Sequence, residues 1–122
     1  MAIDVTVVNP LRLGLAARSA VEEGHGLQTV FNTKWRRYGE LCEAEGLVCY
    51  PFVLDTFGAW HTRAVTETKK LGQALARSTG QSDSETISHL FQRLSVLLTR
   101  GNAILMVNRA PPTVHPYING VL

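Results

Sequence analysis

Ile3, Val5 and Val7 alternate with Asp4 and Thr6 ahead of Pro10, and a period of two over that length predicts a strand across 3–9. Between 28 and 45 the period changes. Val30, Phe31, Trp35, Tyr38, Leu41 and Cys42 recur at spacings of three and four, which places them on one stripe of a helix. Gly46 is positioned to cap that helix at its C-terminal end. From 47 to 56 the run is almost continuously apolar, as expected of a strand covered on both faces. Pro51 brings no N–H to a ladder and predicts a bend or an edge position there. Strand, helix and strand at this spacing predict a right-handed crossover with the two strands parallel and the helix on one face.

After Gly58, Trp60 and His61 lead into a second long helix over 62–78, with Ala64, Thr68, Leu71 and Leu75 on its stripe. A third spans 82–108, opened by Ser82 and Glu85 at capping-box spacing and striped by Ile87, Leu90, Phe91, Leu94, Leu97, Leu98, Ile104 and Leu105. Gly101 falls on that stripe, where glycine costs about 1 kcal/mol relative to alanine. It predicts either close approach of a neighbour or a break at Gly101-Asn102. The segment 11–26 carries Gly14, Gly24 and Gly26 around a short helix over 16–23; His25, between two of them, reads as a solvent-facing loop residue. His89 lies off the apolar stripe and is expected to be solvated. Pro111 and Pro112 stop the third helix. The expectation is a single α/β domain over 1–109 and an extended or disordered tail over 110–122.

At 122 residues the chain is long enough for one core and short for two. A net charge of +2 does not by itself call for a nucleic-acid partner. Cys42 and Cys49 have no ligand-spaced companions and read as buried free thiols in a reducing compartment. No apolar run approaches the ~18 residues a membrane span needs. No basic start and apolar core marks a signal peptide, so an intracellular location, the nucleus included, is expected. The chain opens directly in a strand, which needs a partner, and this predicts a piece of a larger domain.

No GxSxG, glycine-rich phosphate loop, HExxH or CxxC is present, which removes the more specific enzyme signals. What remains is Asp4 on the first strand, Lys34 and Tyr38 four apart on the following helix, and Asp55 near the end of the second strand. Asp4, flanked by Ile and Val, is either solvated at an edge or paired, hydrogen-bonded or holding a metal. Glu22 and Glu23 could reach back toward a metal there. In parallel neighbours Asp4 and Asp55 fall near opposite ends, so they do not share a cation, whereas Asp4 and Lys34 converge if the helix crosses the start of the first strand. Lys34, Arg36 and Arg37 precede Glu40, Glu43 and Glu45, the reverse of what the helix dipole favours. Either Arg36 and Glu40 form a surface pair worth a few tenths of a kcal/mol, or the basic end faces phosphate.

Together, Ile3-Asp4-Val5-Thr6-Val7, Lys34-Trp35-Arg36-Arg37-Tyr38 and Pro51-Phe52-Val53-Leu54-Asp55-Thr56-Phe57-Gly58 resemble the restriction-endonuclease-like domain, of the PD-(D/E)XK type, downstream of the reverse transcriptase in some non-LTR retrotransposons. The resemblance covers about residues 3–109 and implies a partial nuclease core, strand-helix-strand, followed by two C-terminal helices. It implies that Asp4 binds Mg²⁺, that Lys34 positions the attacking water with Tyr38 supporting it, and that Arg36 and Arg37 contact DNA phosphates. Arg37 stands at the family's second lysine position; Asp55 stands where members often carry Glu and is assigned no catalytic role. The family's Pro-Asp motif precedes the first strand and is absent here, so the chain is expected to be an N-terminally truncated fragment with weak or no cleavage alone. The alternative is a non-catalytic α/β module binding nucleic acid or protein, with Trp35 and Tyr38 in the core, Lys34 on the surface and Asp4 solvated. Under either reading an exposed strand edge could support a homodimer.

Overall fold

The computed structural model describes residues 2–109. In chain order these form β1 (Ala2–Val8), α1 (Ala16–Ser19), α2 (His25–Ala44), β2 (Cys49–Asp55), α3 (Thr62–Thr79) and α4 (Asp83–Arg109). The two strands are parallel, with Ala2 opposite Cys49 and Val8 opposite Asp55, as the crossover pattern predicts. The expected tail over 110–122 lies outside the described residues.

The ladder has a defined phase. The Ala2 N–H donates to Val48 O at 2.8 Å and the Thr56 N–H to Val8 O at 3.0 Å. Ala2, Asp4, Thr6 and Val8 therefore turn their backbone groups toward β2, while Ile3, Val5 and Val7 turn theirs to the far side. On β2 the same alternation sends the backbones of Cys49, Pro51, Val53 and Asp55 away from β1, and His61 N donates to Val53 O at 2.9 Å on that side. The Pro51 nitrogen thus occupies a position where the β1–β2 ladder needs no donor.

Successive side chains point to opposite faces, so α2 lies on the face of Val8 and Val53 and closes a core with Leu15, Leu27 and Val30. On the opposite face Trp60 packs between Phe52 and Phe91, at ring-centroid distances of 5.8 and 4.9 Å, and ties β2 to α4. The predicted stripe on α2 is buried only in its first half: Val30 is buried, but Trp35 is 47% and Leu41 64% exposed. A helix of 20 residues runs about 30 Å, whereas strands of seven span about 23 Å. The helix overhangs the sheet that was to cover it.

Other expectations are corrected. His25 is not a loop residue: α2 begins there, after Gly24 at φ 73°, and its ring lies 3.4 Å from both Thr29 Oγ1 and Glu22 Oε2. On α3 the buried line is Ala64, Thr68, Gly72 and Ala76, leaving Leu71 and Leu75 exposed. Small residues there let the α3 backbone come against α4, and a Leu stripe would hold it off. The α4 helix runs unbroken through Gly101, where an added Cβ would meet nothing within 4 Å, so neither a break nor a close approach is present. Asn102 instead donates to Thr56 O at 3.0 Å and fastens α4 to the end of β2. The Ser82 hydroxyl meets Ser84 Oγ at 3.1 Å in place of the capping-box partner. His89 is exposed, as expected.

Candidate functional site

Val30, Lys34 and Tyr38 follow one another at single-turn spacing on α2, so the burial of Val30 against Val8 and Val53 sets the direction of the other two. Lys34 consequently crosses β1 near its start, and Nζ lies 3.0 Å from Asp4 Oδ2. Both side chains are about a third exposed or less. Oδ2 itself is buried, and the ammonium meets it as a charge contact without hydrogen-bond alignment. Asp4 is therefore neither solvated nor fully satisfied.

Tyr38 completes the cluster from the other side of the lysine. Lys34 Nζ is 5.5 Å and the Arg37 guanidinium 5.4 Å from the Tyr38 ring centroid, so one aromatic ring has two cations within reach. Arg36 is separated from them: two residues on from Lys34, it is turned by about 200° around the helix. It lines an open hollow of 520 Å³ with Trp35, Glu40, Glu43, Leu47 and Val48. Arg36 and Glu40 share that hollow without forming the surface ion pair that their spacing allowed. Of the residues singled out from the sequence, Asp4, Lys34, Tyr38 and Arg37 are brought together and Arg36 is not.

Arg12 is a residue the sequence reasoning missed. It shares a 200 Å³ cavity beside β1 with Thr6, Thr33 and Lys34. The turn that returns it is built by Asn9, whose Oδ1 accepts from Leu11 N at 3.0 Å and whose carbonyl accepts from Arg12 N at 3.1 Å. Asn-Pro directly after a strand was the available signal.

The remaining candidates have structural roles. Glu22 reaches His25 and not Asp4. Asp55 is buried at the end of β2, where Oδ1 accepts from Phe57 N and Ala59 N at 2.9 Å each and closes the turn through Gly58, φ 90°. His61 caps α3 by accepting from Arg63 N at Nδ1, 3.1 Å, which leaves Nε2 to donate to Gln28 Oε1 at 3.0 Å. Its ring also stacks on Phe31 at 4.1 Å, and burial pushes its pKa down. Cys42 and Cys49 are free and half-buried; hydrogen bonding of its own S–H toward Cys49, together with burial, pushes the Cys42 thiol up.

Mg²⁺ commonly takes one or two protein carboxylates and fills its remaining positions with water and phosphate oxygens. The buried and unaligned Oδ2 of Asp4 fits one such ligand. Among the described residues no group of three or more His, Cys, Asp or Glu side chains gathers. No helix among them is long and apolar enough to cross a membrane. Comparisons with protein-family models, with curated proteins and with solved structures found no match.

Proposed function

We propose that this chain carries part of a metal-dependent DNA endonuclease site centred on Asp4 and Lys34. The observation that carries the reading is the 3.0 Å contact between them, which joins residues thirty positions apart on two elements. A carboxylate next to a lysine is the minimum equipment for metal-assisted phosphodiester hydrolysis. Mg²⁺ held at Asp4 supplies Lewis-acid stabilisation of charge on the phosphate. Lys34, beside that carboxylate, would orient the attacking water and contact a phosphate oxygen. Tyr38 keeps the ammonium near β1 through its ring face. Arg12 and Arg37 flank Lys34 and hold the DNA backbone by charge; Arg36, on the other side of the helix, has no part near the scissile phosphate. This role places the chain with DNA inside the cell, in the nucleus where one exists.

A non-catalytic nucleic-acid module is the second reading. It is favoured by the preponderance of cations, Arg12, Lys34 and Arg37, over the one carboxylate in that cluster. Nicking of supercoiled plasmid in Mg²⁺ or Mn²⁺ separates the two. The nuclease reading expects nicking by the parent and none by Asp4→Ala or Lys34→Ala. Binding without nicking, or equal nicking by all three, leaves the module reading in its place.

A further inference from the structure

We infer that the open edge of β1 is an interface between two copies of this chain. In it two β1 strands pair antiparallel about a two-fold axis at Val5, and two Asp4 carboxylates become neighbours. The sharing of a cation by those carboxylates rests on the proposed nuclease site; the pairing of the strands does not.

Among the described residues β1 pairs only with β2. Its backbone groups at Ile3, Val5 and Val7 face away from that partner, an unpaired row of donors and acceptors of the kind that recruits a further strand. The side chains of the same residues are 48%, 62% and 45% exposed on the face opposite α2. Ile3 and Val5 open into a 510 Å³ groove whose other walls include Phe52, Leu54, Leu71 and Leu94. One edge thus offers both unmet hydrogen bonds and apolar surface.

A second copy matches this edge in one register above others. With Val5 opposite the partner's Val5, all seven residues of β1 overlap, and Ile3 lies opposite the partner's Val7. Every outward N–H and C=O at Ile3, Val5 and Val7 then meets an outward group. A shift that centres the axis on Asp4 puts two carboxylates directly opposite, which is unfavourable. The rim of the groove carries Glu67 and Lys70, which pair with each other at 3.2 Å within α3 and so bring no unpaired charge to the two-fold contact. Leu71 of each copy lines the groove together with Ile3 and Val5 and adds apolar surface to that face.

On the other face Asp4 stands opposite the partner's Thr6 and diagonal to the partner's Asp4, about 7–8 Å between Cα atoms. Two aspartate side chains at that separation can converge on one hard cation, with a Lys34 beside each. The second carboxylate of the site then comes from the second copy.

Sedimentation of the full chain over a concentration series, with Mn²⁺ titrated into the same samples, tests both parts. Val5→Pro removes an outward N–H that β2 does not use, and Val5→Lys puts a charge on the apolar face; circular dichroism verifies that both fold. The expected result is a parent dimer binding one Mn²⁺ per two chains, with both variants monomeric and their Mn²⁺ affinity reduced at least tenfold. A parent that stays monomeric, or a dimer that both variants retain, overturns the interface. A Val5-dependent dimer that binds no Mn²⁺ sustains the interface and removes the nuclease site. One Mn²⁺ per chain, unchanged in the variants, keeps that site and overturns the sharing.

Discussion

Gly72 of α3 faces Ile87 of α4 so closely that a Cβ at position 72 would lie 2.6 Å from Ile87 Cγ1 and 3.2 Å from Ile87 Cα. Alanine in place of a helical glycine gains about 1 kcal/mol in propensity, but overpacking costs about 1–3 kcal/mol. Crowding by backbone as well as side chain decides the sign. Gly72→Ala is expected to lower stability by about 1 kcal/mol in urea unfolding. In an Ile87→Ala background the loss shrinks or reverses; an equal loss in both backgrounds means that the contact is not its cause.

Asp4 and Lys34 are partly exposed, and a pair of that kind contributes under about 1 kcal/mol. Asp4→Asn and Lys34→Met should therefore fold with nearly parental unfolding midpoints. Any loss of nicking in them then reports the site and not the fold. A stability loss several times larger would make the pair structural and remove that separation.

The Asp55 carboxylate answers two backbone donors in one turn. Asp55→Ala leaves both without an acceptor and is expected to cost about 1–3 kcal/mol, whereas Asp55→Asn keeps an oxygen and loses less. Neither change is expected to alter metal binding at Asp4, whose ladder partner is Pro51, at the other end of β2. Thermal melts and Mn²⁺ titration of the two variants measure both points.

Burial lowers the His61 pKa in the folded chain below its ordinary 6.5. Between those two values the unfolded chain binds more protons, so stability rises with pH there. The contribution is complete above about 6.5 and is lost as the pH falls toward the folded value. His61→Asn keeps a side-chain acceptor at the cap without titrating. Urea midpoints on either side of pH 6.5 should fall with acidification in the parent and change less in the variant; parallel curves would clear His61 of the effect.

The sequence by itself determined the order of elements, the parallel pairing of the strands and the placing of Lys34 and Tyr38 on one face of α2, with Asp4 in reach of Lys34 only if that helix crosses the start of β1. Each follows from short-range rules: a period of two or of three to four, a turn residue, a spacing of one helical turn. The split between Arg36 and Arg37 was also within reach, because adjacent residues on a helix cannot face the same way. Which stripe of each helix was buried depended on partners far along the chain. Leu71 and Leu75 gave way to Gly72 and Ala76 because α4 comes in close at Ile87, and Trp35 and Leu41 stayed exposed because α2 outruns a sheet of seven-residue strands. Only the tertiary structure could bring Arg12 beside Lys34 and leave the backbone of Ile3, Val5 and Val7 without a partner among the described residues. Periodicity fixes which way a side chain points along its own element; burial and contact are set by what the rest of the chain lays against it.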